Sequence, residues 1–470
     1  MKPVRAVLIG AGQRGSEAYA PYALKHPDQL QFVAVAEPNE QRRNRFSDLH
    51  AIPPEYCFES WEELMECPQL GEAAIIATQD WLHTQPAIAA LRKGYHVLLE
   101  KPMATHPEEC RQLVEESEKN ERQLHICHVL RYTRHARKMR EIVHSGILGE
   151  IIDVDHRENV SFWHMAHSYV RGNWRNSEQS SPMILAKCCH DLDILPWILG
   201  QWPIRLSSSG ELTHFRAEKA PVKTPERCVD GCPIEKECPF SAIHVYVDML
   251  PFWHSYSQTC TNPLNKAIIE EWMRRPAVIR FLARFFPSLR QVSEYKGWPL
   301  TVLTQDPSPD TVYQAIQNGP YGRCVYHCDN DVVDHQVVSM QFEQGTTVTL
   351  TMHGHSHIEH RSTRIEGTRG RLMGILGNGG GWITVEEHRS RKKKFFDTSP
   401  PAGEGHGGGD SQLMAEFVNA VHVGGYPEDI RRTAREALFS HLLAFSAEEA
   451  RLHRKVVEFS NEEFLSDIRK

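Results

Sequence analysis

The stretch Val4-Arg5-Ala6-Val7-Leu8-Ile9-Gly10-Ala11-Gly12-Gln13-Arg14-Gly15 decides the fold of this chain. Its apolar run has the length and branching of a buried strand, and residues 16–25 behind the glycines have helical patterning. Gly10, Gly12 and Gly15 stand where the strand passes into the helix. Glycine there lets the backbone turn sharply and approach a pyrophosphate lying at the helix N-terminus. Residues 31–36 read as a second strand, ending at Glu37, the acidic residue expected about 20 residues further on in such a site. A carboxylate at that point accepts both ribose hydroxyls of an adenosine and repels a 2′-phosphate. NAD is therefore expected in preference to NADP, with Arg42 and Arg43 softening the repulsion.

Outward from this unit, strand and helix alternate. Residues 39–49 are polar and helical, 73–78 form a strong strand, and 86–93 a helix stopped by Gly94. Then come a strand at His96–Leu99, a helix at 107–120 opened by Pro107, and a strand at 124–129. Alternation of this kind predicts parallel βαβ units, so residues 1–130 read as a doubly wound dinucleotide-binding domain. Two further signatures fall at strand C-termini, where ligands bind in such sheets. They are Ala77-Thr78-Gln79-Asp80-Trp81-Leu82-His83 and Glu100-Lys101-Pro102. A lysine facing that crevice is partly desolvated and lies near a positive nicotinamide ring. Both effects favour its neutral form, which takes a proton from a substrate hydroxyl. Pro102 biases Lys101 to an extended backbone and so sets the direction of its side chain.

Together with Arg131 in Val129-Leu130-Arg131-Tyr132, Gly149-Glu150-Ile151 and Ile365-Glu366-Gly367-Thr368-Arg369-Gly370, these motifs resemble the Gfo/Idh/MocA family of nicotinamide-dependent sugar and cyclitol oxidoreductases. The resemblance covers the first 200 residues well and about 335–460 adequately, and it fails over roughly 205–330. It implies a Rossmann domain followed by an α+β domain (131–470) with an open, mostly antiparallel sheet, through which the chain is expected to form a homo-oligomer. On this reading Gly10, Gly12, Gln13, Arg14, Glu37, Thr78, His83, Glu100, Lys101, His128 and Arg131 hold the cofactor. His190, in Cys188-Cys189-His190-Asp191-Leu192-Asp193, matches the family histidine that touches the reacting hydroxyl, and Asp193 the acidic residue one turn later. The aspartate that usually accompanies this histidine falls on Ala186, and Lys187 beside it brings a second cation.

Further substrate candidates cluster in the second domain. Residues 162–175 carry Trp163, His167, Arg171 and Trp174. His353, His355 and His357 alternate, so they project from one face of an extended segment, where substrate contact or exposure is expected rather than metal binding. Gly405-His406-Gly407-Gly408-Gly409-Asp410 precedes a helix at 411–421. It reads either as a loop closing over a pocket, with His406 and Asp410 on a sugar hydroxyl, or as a linker with Asp410 as N-cap.

Residues 205–330 read as an insertion. Cys228, Cys232 and Cys238, with Cys324 or Cys328 as a distant fourth, suit a structural zinc, and the alternative is unligated thiols packed in a loop domain. A basic amphipathic segment at 267–289 is expected to cover this domain or a partner subunit. Composition bounds the rest. With 40% apolar and 24% charged residues, a net charge of −7 and 12 cysteines in 470 residues, the chain is globular and not a disulfide scaffold. Nothing points to nucleic acid or to a membrane span, and no signal peptide is recognised, so a cytoplasmic location is expected. The function expected is hydride transfer between NAD and a secondary hydroxyl of a sugar, glycoside or cyclitol, with Lys101 as general acid/base. The alternatives are an NAD-dependent glycoside hydrolase working through transient oxidation, elimination, water addition and re-reduction, and a non-catalytic NAD-binding regulator.

Overall fold

The computed structural model describes residues 2–250, 252–253, 271, 274–275, 278, 281–282, 284–286, 295–377, 380–400 and 406–459. Most of the amphipathic 267–289 segment therefore lies outside the described residues.

The first sheet has six parallel strands: β1 (Val4–Ile9), β2 (Leu30–Ala36), β3 (Cys57–Phe58), β4 (Ala73–Ile76), β5 (His96–Leu99) and β6 (Leu124–Ile126). Their order is β3-β2-β1-β4-β5-β6. Strand order reverses between β1 and β4, which opens a crevice at the carboxyl ends of the strands. β4 is buried at every position, as a strand covered by helices on both faces must be. The first helix differs from expectation. A wide-turned helix at Gln13–Tyr19 gives way to Pro21–Lys25, because Pro21 has no N–H to continue the ladder and starts a new helix at its first position. The strand expected at 124–129 stops at Ile126, and Val129–Tyr132 coils into a single tight turn.

The second sheet has nine strands: β7 (Ile151–Ser161), β8 (Pro203–Glu211), β9 (His335–Phe342), β10 (Thr347–Ser356), β11 (His360–Gly367), β12 (Gly370–Gly377), β13 (Gly380–Glu387), β14 (Lys393–Asp397) and β15 (Val457–Glu458). The order is β14-β13-β12-β11-β7-β10-β9-β8-β15, and only the β7–β10 pair is parallel. β8 corrects the expected start of the insertion: it pairs with β9 from Pro203 opposite Phe342 to Glu211 opposite His335. Most of the segment read as an insertion thus lies between the end of β8 and the start of β9.

Two C-terminal helices, α1 (Gly409–Val423) and α2 (Glu428–His453), return to the first domain. Leu413, Met414, Phe417 and Val418 of α1 join the apolar layer on one face of the first sheet. Ala434, Ala437, Leu438 and Leu442 of α2 join the layer on the other face. Further along α2, Leu443, Ala444, Ala447 and Ala450 pack into the core of the second sheet. Alanine along this helix lets both domains approach its backbone closely.

Candidate active site

The glycine loop has the shape its sequence requires. Gly10 has φ of +91°, and a Cβ there would meet the Ala77 carbonyl oxygen at 2.7 Å. A Cβ on Gly15 would lie 2.2 Å from the Gly10 carbonyl oxygen, so that position needs glycine to let helix and strand meet. Gly12 differs from both, since nothing stands within 4 Å of its would-be Cβ. That open backbone fits the approach of a dinucleotide pyrophosphate. Glu37 closes the far side. It is buried, and its carboxylate accepts from the backbone N–H of Ala11 at 2.8 Å and of Asn39 at 3.0 Å. Gln13, expected at the cofactor, is an exposed residue of the first helical turn.

The ends of β5 and its neighbours form a charged chain that leads to Lys101. The Arg14 guanidinium donates to Glu100, to the Tyr19 hydroxyl and to Asp410 of α1. Tyr19 also donates to Glu100, and the second Glu100 oxygen accepts the Lys101 backbone N–H at 2.7 Å. Burial pushes the Glu100 carboxyl up, but Arg14, Lys101 and Tyr19 outweigh it and hold it below the usual carboxylate range. Arg14 therefore orients the Glu100-Lys101 segment, a role the sequence did not suggest. Asp410, for which the sequence leaves a sugar-contacting loop or an N-cap open, is not the cap: it sits in the first turn of α1, and Gly408 is the cap.

Lys101 points across to the second domain, where its Nζ donates to the Ala186 carbonyl oxygen at 3.0 Å. His190 lies on the helix that follows, α3 (Cys189–Leu199). Its ring meets that of His128 edge to face at 5.8 Å, and the His128 ring stacks on His441 of α2. His128, Cys189 and His441 come close enough to invite a metal reading. The His441 ring is already committed: its Nε2 accepts the Met103 backbone N–H at 2.9 Å and its Nδ1 donates to the Ala437 carbonyl at 2.7 Å.

Several residues expected at cofactor or substrate also hold the framework. His83 is buried, and its ring bonds the Pro102 carbonyl at 2.6 Å and lies 3.3 Å from that of Thr78, joining two strand ends. The Thr78 hydroxyl donates to the Leu82 carbonyl. Arg131 grips Asp193 in a two-pronged ion pair at 2.6 and 2.7 Å, and its remaining nitrogen reaches Glu436 of α2. His128 Nδ1 lies 2.8 Å from the same Asp193 carboxylate. Both oxygens of Asp193 are thus taken by protein groups, which replaces the expected substrate contact with a clamp on the His190 helix.

Lys187 is corrected as well. Its ammonium lies 2.7 Å from Glu359 and 3.4 Å from Glu158, and Glu359 also binds His164. Burial works against the Lys187 cation, but the two carboxylates outweigh it and keep it charged far above the ordinary lysine range. It is no free second cation. Glu158 in turn meets Arg361, which binds Asp191, and Asp191 meets His156. The sequence signalled none of Glu158, Glu359 and Arg361, because they come from strands and turns remote from the motifs.

The aromatic segment serves the insertion. Trp163 packs edge to face on Trp253 at 4.5 Å. His167 bonds the Tyr246 hydroxyl and stacks on Tyr321. Burial pushes the His167 ring down to about 3, so it stays neutral. Arg171 is sealed against the insertion's backbone, and Trp174 Nε1 donates to Asp80 across the domain junction at 2.9 Å. His355 is stacked on Phe215 and lies 3.7 Å from Asp334, while His353 bonds Asn159 and His357 lies exposed past the end of β10. The His406 side chain lies outside the described residues.

Comparison with known proteins agrees with this architecture. Residues 4–128 match the model of the Oxidoreductase family, NAD-binding Rossmann fold, and residues 140–245 match that family's C-terminal alpha/beta domain. The Bacillus subtilis protein YteT, named as an oxidoreductase, is 22% identical over 80% of this chain and 78% of its own length. The D-glucoside 3-dehydrogenase of Escherichia coli is 30% identical over 32% of this chain, which spans 41% of that relative. The crystal structure of aldose-aldose oxidoreductase from Caulobacter crescentus superposes with a TM-score of 0.63 at 12% identity, covering 97% of this chain and all of that one. Among the described residues no helix is long and apolar enough to cross a membrane. A six-stranded sheet in Rossmann order, a glycine loop with Glu37 behind it, and Glu-Lys-Pro at the end of β5 accompany both domain matches, and the chain belongs to the Gfo/Idh/MocA family of oxidoreductases.

Proposed function

We propose that this protein oxidises a secondary hydroxyl of a sugar, glycoside or cyclitol, or reduces the matching ketone, with NAD held on the glycine loop. The observation that carries the reading is Lys101, whose Nζ is held at 3.0 Å from Ala186 where the two domains meet, beside the His190 helix. When bound, a nicotinamide dinucleotide supplies the hydride acceptor or donor. Everything else falls to the chain. The backbone of Gly10, Ala11 and Gly12 holds the pyrophosphate, and Glu37 takes the adenosine ribose hydroxyls. Lys101 Nζ takes the hydroxyl proton and returns it in the reverse direction, while the His190 ring orients that hydroxyl. Glu100, fixed by Arg14 and Tyr19, keeps the Lys101 backbone in place. The likeness to D-glucoside 3-dehydrogenase supports a glycoside among the substrates.

The test is a screen of sugars, cyclitols and aryl glycosides against the purified protein, following NADH formation and aglycone release in parallel. NADH formation on a polyol or glycoside supports the proposal. Aglycone release without net NADH points to the redox-neutral hydrolase, and neither signal with any substrate overturns both.

Cofactor choice gives a separate expectation. Glu37→Ala should weaken NAD binding about tenfold or more, because a hydrogen bond to a charged group contributes about 1.5–3 kcal/mol. NADP binding should weaken less or improve, since the repulsion goes with the carboxylate. Titration calorimetry with both cofactors checks this. Equal affinity of the unaltered protein for NAD and NADP would show that Glu37 does not select.

A further inference from the structure

Outside the crevice, the inserted chain brings Cys228, Cys232, Cys238 and Cys324 around a single cavity together with Arg171 and Arg227. The two halves of the insertion are stitched at this point. Cys228 N–H donates to the Gly322 carbonyl at 3.0 Å, and Cys324 N–H donates to the Glu226 carbonyl at 2.8 Å. The four cysteines are free, so the site is not a pair of disulfides.

Charge is the second observation. Arg171 is 1% exposed, and its hydrogen bonds run to the carbonyls of Arg323 and Phe240 and to Cys228 Sγ, none of them a carboxylate. Its Nη1 is sealed from solvent with no hydrogen-bond partner, and so is Nε of Arg227. A buried guanidinium without a counter-charge costs several kcal/mol, and neutral thiols offset little of that. Four thiolates on a divalent metal, or on an iron–sulfur core of the same charge, carry a net charge of −2. Two guanidinium groups offset it, and the Glu235 carboxylate, which lines the same cavity and accepts from the Ser241 hydroxyl, leaves a small net negative charge.

We propose that Cys228, Cys232, Cys238 and Cys324 ligate a thiophilic metal centre that staples the insertion together, with Arg171 and Arg227 as its counter-charges. Ligation exchanges four S–H bonds for four metal–sulfur bonds and releases four protons to solvent. It changes no oxidation state, because a divalent ion or a preformed cluster is taken up. Sulfur spacing distinguishes the two. Thiolates on one tetrahedral zinc stand about 3.8 Å apart, given Zn–S bonds of about 2.3 Å. No three of these sulfurs lie within 4.8 Å of one another. A cubane cluster places its own irons and sulfides between the thiolates and so bridges a wider spread than a single ion does.

The experiment uses full-length protein purified without oxygen or chelator, with iron, acid-labile sulfide and zinc measured per chain. The expected result is about four irons and four sulfides per chain with broad visible absorption. About one zinc per chain without sulfide would also support a tetrathiolate centre, with a single ion in place of the cluster. Cys232→Ser and Cys238→Ser should each lower the metal content at least tenfold. As a check independent of folding in the variants, the four thiols of the unaltered protein should resist alkylation until the metal is removed. NAD binding should survive that removal. Four thiols that alkylate freely, and metal under a tenth of an equivalent after reconstitution with zinc or with iron and sulfide, would overturn the proposal.

Discussion

Lys101→Met is expected to lower turnover by about 10²–10⁴, the contribution of a positioned acid or base, while NAD binds nearly as before. The two effects separate because different parts of the chain produce them. The glycine loop holds the phosphates through its backbone, and Lys101 stands at the end of a different strand. The folded state loses one hydrogen bond, from Nζ to the Ala186 carbonyl, worth about 0.5–1.5 kcal/mol. Methionine keeps most of the apolar stem in place. Lys101→Arg should not rescue, because a guanidinium stays charged and cannot accept the proton. His190→Ala should raise KM as well as lower kcat, since it aligns the same hydroxyl. Steady-state kinetics on the substrate found by the screen, with NAD affinity measured alongside, decides the matter. If Lys101→Met kept most of its activity, the mechanism would fail at its centre. Lys187 offers no substitute base, because Glu359 and Glu158 hold it charged.

The first domain was legible because its signals are local. The Gly10-to-Gly15 turn, the Gly94 stop and the short apolar strands each depend on residues a few positions apart, so their reading survives contact with the structure. Period-2 alternation also marks β9 and β10, each with one buried face. It missed β8, whose Ser207-Ser208-Ser209 run has no apolar alternation and is held by pairing with β9. The site was legible only in part. Lys101 and Glu37 belong to motifs, whereas Glu359 meets Lys187 across 172 positions and Asp410 meets Arg14 across 396. No spacing rule reaches that far. The aromatic and histidine-rich stretch at 162–175 suggests ligand binding because those residue types also bind sugars. Here Trp163, His167 and Arg171 form the buried seam on which the insertion rests, and composition alone does not separate the two uses.

Asp193→Ala is expected to remove about 3–5 kcal/mol of stability, the usual consequence of taking one partner from a buried ion pair. The carboxylate holds Arg131 through two nitrogens and His128 through a third, and it is fully enclosed. Without it the Arg131 guanidinium keeps Glu436 as its one carboxylate partner among the described residues. Three parts of the chain meet there: the turn after β6, the His190 helix and α2. Loosening them should also raise KM through His190. A pH test isolates the charge. Burial pushes the Asp193 carboxyl up, but Arg131 and His128 outweigh it and hold it well below the usual range. An unfolded aspartate titrates at about 3.9, so below that pH the unfolded chain binds more protons than the native one. Stability from this group is therefore complete at neutral pH and is lost as pH falls through about 4 toward the depressed native value. Asp193→Asn removes that titration while keeping the shape of the side chain. Denaturant unfolding of both proteins between about pH 7 and pH 3 should show a shallower acid loss in the variant, with Asp191 contributing equally to each. Parallel acid profiles would show that Asp193 carries no buried charge coupled to folding.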